Sequence, residues 1–468
     1  MNKLVPRLAP LAVAIGLSAC SFIPTYERPT APVPALWPSS AATTGKAASD
    51  LAWKDFFRDA SLRQLIEIAL ANNRDLRVAV LNIEQARAQL GLRRADQFPT
   101  VNAAVAGSRS PTGTGKYVTV DSAGLLVTSY ELDFFGRVAS LKEQALAQYL
   151  ASQEGSRTAQ ISLVASVAQT WLGLVADEEL LALSKRTLAT REDSLRLTQL
   201  RFDNGAASDL DLRLAQSLSE AARVALAQQQ RQRAQDENAL ALLLGQPLPE
   251  DARSHLAAVS LAQLKLAELP AGAPSDLLIS RPDVRQAESQ LIAANANIGA
   301  ARAAFFPRIT LTAGAGSASN SLTGLFKAGT WGFTPAPQLL MPLFDGGRNQ
   351  AGLDAAKSGR DIAVAQYEKA IQSAFREVAD ALVGRDTLAE QVRAQQAQAS
   401  AESARFGLTE LRLQHGAASQ LDWLDAQRSL FAAEQAVVTT RLAYLQNQVA
   451  LYKTLGGGDV AVGAHSAP

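Results

Sequence analysis

Two stretches of the chain, 137–203 and 348–414, contain no proline and hold a helical pattern from end to end. At about 1.5 Å rise per residue, each predicts a helix roughly 100 Å long. Such a helix does not fit inside a globular domain. It needs neighbours along its whole length, as in a coiled coil or a wall of helices. Each stretch runs into nearly the same words: GAASDLDLRLAQ at Gly205–Gln216 and GAASQLDWLDAQ at Gly416–Gln427, identical at eight of twelve positions.

The duplication extends well beyond those words. Asp75-Leu76-Arg77 is matched by Asp283-Val284-Arg285, and Phe98-Pro99 by Phe306-Pro307, both at an offset of 208. Gly136-Arg137 is matched by Gly347-Arg348, and Leu244-Gly245 by Leu455-Gly456, both at 211. A steady offset over most of a chain marks a tandem duplication. The copies span 61–245 and 276–456, joined by a proline-bearing linker at 246–275, with a loose tail at 457–468.

Both copies have one internal order. Leu62, Leu65, Ile66, Ala69 and Leu70 have helical spacing and predict a single helix over 61–96, stopped by Pro99. Two alternating runs at about 99–109 and 123–133 predict a strand pair within 99–133, with Pro111, Gly113 and Gly115 between them. Gly113 to Lys116 (GTGK) lacks the other residues of a phosphate loop and reads as the hairpin connection. The long helix 137–203, a turn at 204–208 and a return helix at 209–245 follow. The second copy repeats this as a strand pair at 308–343, the helix 348–414, a turn at 415–419 and a return helix at 420–455. Large apolar residues are sparse in 137–203, which predicts close helix approach with Gln148, Gln153, Gln160 and Gln169 turned toward water.

Four strands cannot close a barrel, and an open sheet leaves hazardous edges. Three chains would supply twelve strands; two would supply eight, a barrel filled by its own side chains. The strand regions 98–135 and 305–344 hold 11 aromatic residues, about twice the density of the whole chain. Phe98, Tyr130, Phe134, Phe306, Trp331 and Phe344 lie near strand ends, as in a girdle at a membrane interface.

Residues 1–19 have the charge pattern and short apolar core of a secretory signal. It ends in Leu-Ser-Ala before Cys20, the only cysteine of the chain. That order predicts a lipoprotein whose first mature residue, Cys20, carries acyl chains and opens a lipidated segment at 20–60. Ser21 after it favours the outer membrane. The net charge of +1 gives no support to nucleic-acid binding. His255, His415 and His465 are isolated, so no metal site and no cofactor other than the lipid is expected. No catalytic constellation stands out, and no enzyme is expected. Methionine occurs only at Met1 and Met341, which argues against a methionine-rich copper path.

Taken together, these words resemble the TolC-like outer-membrane efflux proteins, in their NodT-type lipoprotein branch. The resemblance is carried by the lipobox, Tyr26-Glu27-Arg28-Pro29, Trp53 to Asp59, Asn73 to Leu76, Glu131 to Arg137, Ser280 to Arg285, Pro342 to Arg348 and Gly416 to Gln427. It implies a mainly α chain with a membrane β-barrel: a homotrimer with a shared 12-stranded outer-membrane barrel, a long periplasmic α-helical barrel and a belt of equatorial helices. It also implies a passive conduit fed by an inner-membrane pump through a periplasmic adaptor. Export of small molecules is the favoured reading. A conduit for type I protein secretion, or a periplasmic coiled-coil scaffold lipoprotein with no channel, are the alternatives.

The repeated turn is predicted to be a helix–turn–helix. Gly205 and Gly416 suit a left-handed C-terminal cap, and Ser208 and Ser419 suit N-caps. Asp211 and Asp422 three residues on resemble a capping box, and Leu210 and Leu421 are expected to begin the next apolar face. Ala206, Ala207, Ala417 and Ala418 leave little bulk, so an adaptor could meet the turns end-on. Leu408, Glu410, Arg412, Gln199 and Arg201, just before the turns, are the candidate gate. Gly136, Arg137, Gly347 and Arg348 mark the strand-to-helix turns.

Overall fold

The computed structural model describes residues 21–34, 37, 51–113, 115–269 and 281–457. Its helices are α1 (Trp53–Phe56), α2 (Ala60–Asn72), α3 (Arg74–Ala95), α4 (Arg137–Asp203), α5 (Asp209–Leu244), α6 (Glu250–Leu256), α7 (Pro282–Ala303), α8 (Arg348–Gln414) and α9 (Gln420–Thr454). Its strands are β1 (Val101–Pro111), β2 (Tyr117–Glu131), β3 (Arg308–Ser319) and β4 (Trp331–Leu340). The described residues form two compact units, one within 21–31, 81–154 and 285–370, the other holding the rest of them. The signal segment and Cys20 lie outside the described residues.

In the first unit the strands form one antiparallel sheet in the order β1-β2-β3-β4. The central pairing, β2 with β3, joins the two copies. Gly124 sits opposite Gly316, and a Cβ at Gly124 would stand 2.6 Å from the partner's Cα, so this crossing excludes any side chain. β2 begins at Tyr117, six residues earlier than the alternation suggested, because Tyr117 to Asp121 pair fully with Gly107 to Pro111. A bulge between Val127 and Tyr130 places Ser129 at φ 52°. β4 is exposed along its length and carries Pro335 and Pro337, residues that sheets confine to their edges.

The N-terminal segment of this unit is strapped along α7. Phe22 stacks on Phe306 at 4.7 Å, and Phe306 stacks on Phe135 at 5.0 Å. Phe306 therefore belongs to a local aromatic cluster as well as to the strand end. Arg302 donates to the Phe22 carbonyl (3.1 Å) and Asn295 to that of Pro24 (2.8 Å). Tyr26 and Arg28, from the Tyr-Glu-Arg-Pro words, both donate to Glu288, Arg28 through two nitrogens at 2.7 and 2.9 Å. The Glu288 side chain is 11% exposed, so these are partly desolvated, charge-assisted bonds.

The second unit is packed around Phe56, Phe57, Leu65, Ile66, Trp171, Leu240 and Tyr452, each at most 2% exposed. Phe56 stacks on Tyr452 at 4.1 Å, and Tyr452 donates to the Leu51 carbonyl. The predicted single helix over 61–96 is two helices. Asn73, extended at ψ 131°, caps both: its backbone N–H reaches Ala69, and its side chain accepts from Leu76 and donates to the Leu243 carbonyl. The expectation of a sparse apolar face on the first long helix also needs correction. Residues 161–176 bury Val164, Val167, Trp171, Leu172, Leu174 and Val175. α4 holds an apolar stretch long enough to cross a membrane, yet 61% of that stretch is buried within the protein. Gln160 is buried there too, rather than turned to water.

Replacing Glu288 with Ala leaves Tyr26 and Arg28 without their acceptor. Charge-assisted bonds of this kind contribute about 1.5–3 kcal/mol. Limited proteolysis should therefore cut within 21–34 at least about tenfold faster than in the parent protein.

Candidate functional site

The two repeated turns are built by local chemistry. At the end of α4, Gly205 has φ 73°; its N–H bonds the Phe202 carbonyl (2.9 Å), and the Ala206 N–H bonds that of Arg201 (2.7 Å). At the end of α8, Gly416 has φ 71°; its N–H bonds Leu413 (3.1 Å), and the Ala417 N–H bonds Arg412 (2.7 Å). Both are Schellman motifs, which need the left-handed residue that glycine supplies without strain. The next helices start with full capping boxes. Ser208 accepts from the Asp211 N–H and Asp211 accepts back from Ser208, as do Ser419 and Asp422. Aspartate takes the place usual for glutamate, and the serine hydroxyl also donates to it, at 2.6 and 2.7 Å.

The two turns stand side by side, since Arg201 donates to Gln420 at 3.3 Å. Leu210 and Leu421 do not begin the buried face. They are 77% and 58% exposed, and the first buried leucines are Leu212 and Leu424. With the alanines, they give each turn an apolar outer surface. Neither glycine has any atom within 4 Å of where a Cβ would stand, so only backbone conformation constrains these positions.

The five gate candidates divide by their contacts. Gln199 donates to Asp203 on its own helix (2.8 Å), and Arg412 donates to the Ala417 carbonyl (3.0 Å), locking its own turn. Arg201 links the two turns. Leu408 is 64% exposed and Glu410 half-buried; among the described residues Glu410 makes no ion pair. A charged cluster that motif reading missed lies next to them. Arg405 pairs with Glu402 (2.8 Å) and reaches Asp425 on α9 (3.6 Å), and Asp425 pairs with Arg428 (2.6 Å). Ser194 and Leu214 hold the equivalent positions in the first copy, so this cross-helix pair exists in one copy alone. The two i,i+3 charge pairs were its only trace in the sequence.

The strand-to-helix turns also differ between copies. Gly136 (φ 69°) turns the chain into α4, where Asp133 accepts from the Ala139 N–H. Arg137 binds Glu131 through two bonds of 2.7 Å, and Arg308 joins them at 2.7 Å. In the second copy Gly346 and Gly347 are both left-handed, and Asp345 caps Gly347 and Asn349. Pro342 stands where Glu131 would, so Arg348 lacks the carboxylate that Arg137 has. An open cavity of about 470 Å³ adjoins the first junction, lined by Glu131, Arg137, Phe306, Arg308, Leu340 and Met341. Among the described residues, no His, Cys, Asp and Glu are grouped to hold a metal.

Comparison with known proteins is decisive at this point. The family model described as outer membrane efflux protein matches the chain twice, over 65–246 and 273–457. The chain belongs to that family. It is 48% identical, over 98% of its length and 96% of theirs, to the antibiotic efflux pump outer membrane protein ArpC and to the toluene efflux pump outer membrane protein TtgC, both of Pseudomonas putida. It superposes on the open-state MtrE outer membrane channel of Neisseria gonorrhoeae with TM-score 0.86 at 41% identity, covering 94% of this chain and 98% of that one. A mainly helical chain with a four-stranded membrane sheet is thus the architecture of a family of outer-membrane channels.

Gly416→Val forces a β-branched residue to φ 71°, a strain of about 1–2 kcal/mol. Hydrogen exchange should rise at 415–419 while the helical content of the protein stays unchanged. The Asp422 carboxyl is held below the usual carboxylate range by the Ser419 hydroxyl and then by the Ser419 N–H. A depressed value means that the cap is fully present above the ordinary aspartate range, near pH 4, and is lost as pH falls through the lower folded value. Amide protection at Ser419 to Asp422 should be flat from pH 5 to 8 and collapse below about pH 4.

Proposed function

We propose that this protein is the outer-membrane channel of a tripartite efflux system. Three copies form a passive conduit that carries small molecules, antibiotics and aromatic solvents among them, from an inner-membrane pump and its periplasmic adaptor to the exterior. The observation that carries this reading is the sheet: four antiparallel strands with both edges unpaired among the described residues, and an outer strand exposed along its length. Strands that cross a membrane must close into a barrel, since an open edge in lipid leaves backbone groups unsatisfied. The efflux relatives at 48% identity supply the cargo class.

In this reading the turns at Gly205 to Ser208 and Gly416 to Ser419 meet the adaptor. Their exposed alanines and leucines support that role. The constriction lies just before them, with Leu408 and Glu410 toward the lumen and Arg201 and Arg412 holding the turns together. Cys20 carries the lipid that anchors the mature chain.

Deletion of the gene should raise susceptibility to antibiotics and to toluene, and the intact gene should restore resistance. Loss of a secreted protein with unchanged susceptibility would favour the secretion alternative. The purified protein should conduct ions in planar bilayers, which a scaffold would not do. Leu408→Ala and Glu410→Ala should each raise the conductance of the resting channel; unchanged conductance in both would remove them from the gate.

A further inference from the structure

The two faces of the sheet differ in chemistry. Directly opposed residues of neighbouring strands share a face, and successive residues of one strand alternate between faces. One face holds Val105, Leu125, Ala315, Phe333 and Leu339, joined through the pairs Leu125–Ala315 and Ala315–Phe333. The other holds Asn102, Ser108, Ser122, Thr334 and Gln338. The first face is the one that suits lipid, since outer-membrane strands turn their apolar positions outward.

A cation stands on that apolar face. Arg109 is opposite Thr119, and Pro111 is opposite Tyr117, so Arg109 and Tyr117 share the face with Val105. The Arg109 guanidinium lies over the Tyr117 ring, 4.7 Å from its centroid. Trp331, opposite Ser317, ends the same face on β4. Arg109 is eight residues beyond Val101, about 27 Å along the strand. An outer-membrane apolar band is about 25 Å tall, so Arg109 reaches headgroup level when Val101 stands at the opposite boundary. The hairpin end of the sheet also carries Lys116, next to Tyr117, and Lys327, against the single carboxylate of Asp121. Among the described residues none of these three cations forms an ion pair, and all three are exposed. A guanidinium stacked on a ring keeps its N–H edge free, and that planar edge matches the oxygens of a phosphate.

Building on the channel reading above, which turns the strand hairpins to the exterior, we propose that Arg109, held over Tyr117 and joined by Lys116, binds the phosphate of an anionic lipid headgroup in the outer leaflet. The occupant is a lipid rather than a free anion because the site opens onto the apolar face. A headgroup seated on Arg109 lays its acyl chains along Val105, which is 82% exposed. Tyr117 and Trp331 then take the boundary position that amphipathic rings favour. A charge on the lipid side costs little at that level, whereas at the midplane it is strongly destabilising.

The test is native mass spectrometry of the purified full-length protein, with bisphosphorylated lipid A or zwitterionic phosphatidylcholine as the probe. The parent protein should keep lipid A at collision energies that strip phosphatidylcholine. Arg109→Gln combined with Lys116→Gln should lower the retention of lipid A at least about tenfold, as expected for lost charge-assisted bonds. Tyr117→Leu should lower it by less, about threefold, because the charge stays while the ring that orients it is gone. Lys357→Gln, an exposed cation on α8, should leave retention unchanged. Equal retention of the two lipids, retention that survives the double substitution, or an equal loss in Lys357→Gln would overturn the proposal. Ion conductance of the same preparations in planar bilayers separates the two readings. A protein that conducts but shows no preference for lipid A loses this site alone. One that does not conduct loses the channel reading on which the orientation of the sheet rests.

Discussion

The pairing of β2 with β3 is the contact on which the rest of this protein depends. It joins two copies of one unit edge to edge, with Gly124 and Gly316 giving the backbones room to approach. Because each copy enters its long helix directly after its second strand, this one pairing also places the starts of α4 and α8 within the same unit. It leaves one edge of β1 and one edge of β4 unpaired among the described residues. A membrane does not tolerate such edges, so the sheet that organises the fold also makes assembly with further copies obligatory.

At the turns the governing chemistry is local. A left-handed glycine closes one helix and a serine–aspartate box opens the next, and neither depends on remote contacts. Conserving that geometry in both copies frees the remaining surface to diverge. The Arg405–Asp425 pair joins α8 to α9 in one copy, while Ser194 and Leu214 stand in the other. At the far ends of the long helices, Arg137 has Glu131 while Arg348 faces a proline position. The duplication is therefore faithful in backbone and unequal in charge.

Much of this was legible in the residues. The two long helical patterns end at the glycine-led turns that bound them, and the capping words name their own hydrogen bonds. Family membership could be read from short words spread over nearly the whole chain. What escaped had a common cause. Asn73 breaks a continuous helical pattern because its side chain finds the Leu243 carbonyl, 170 residues away. Leu210 and Leu421 follow an apolar rhythm yet are exposed, and burial starts only at Leu212 and Leu424. The long helix 137–203 is sparse in large apolar residues over its whole length, yet it gathers Trp171, Leu172 and Leu174 with Val164, Val167 and Val175 in one short stretch that is buried.

By itself the sequence determined the long helices and the strand pairs, their order, their duplication and the chemistry of the two turns. These follow from φ/ψ preference, periodicity and side-chain hydrogen bonds that reach no further than a few residues. Tertiary structure alone decided which copy of each repeated surface is covered. Gly91 and Gly299 hold equivalent positions in the two copies, yet Gly299 is packed against Ser140 and Ile23 while Gly91 lies open. The reason is physical: similar local sequences make similar helices, but a chain with two ends can cover only the surfaces between them.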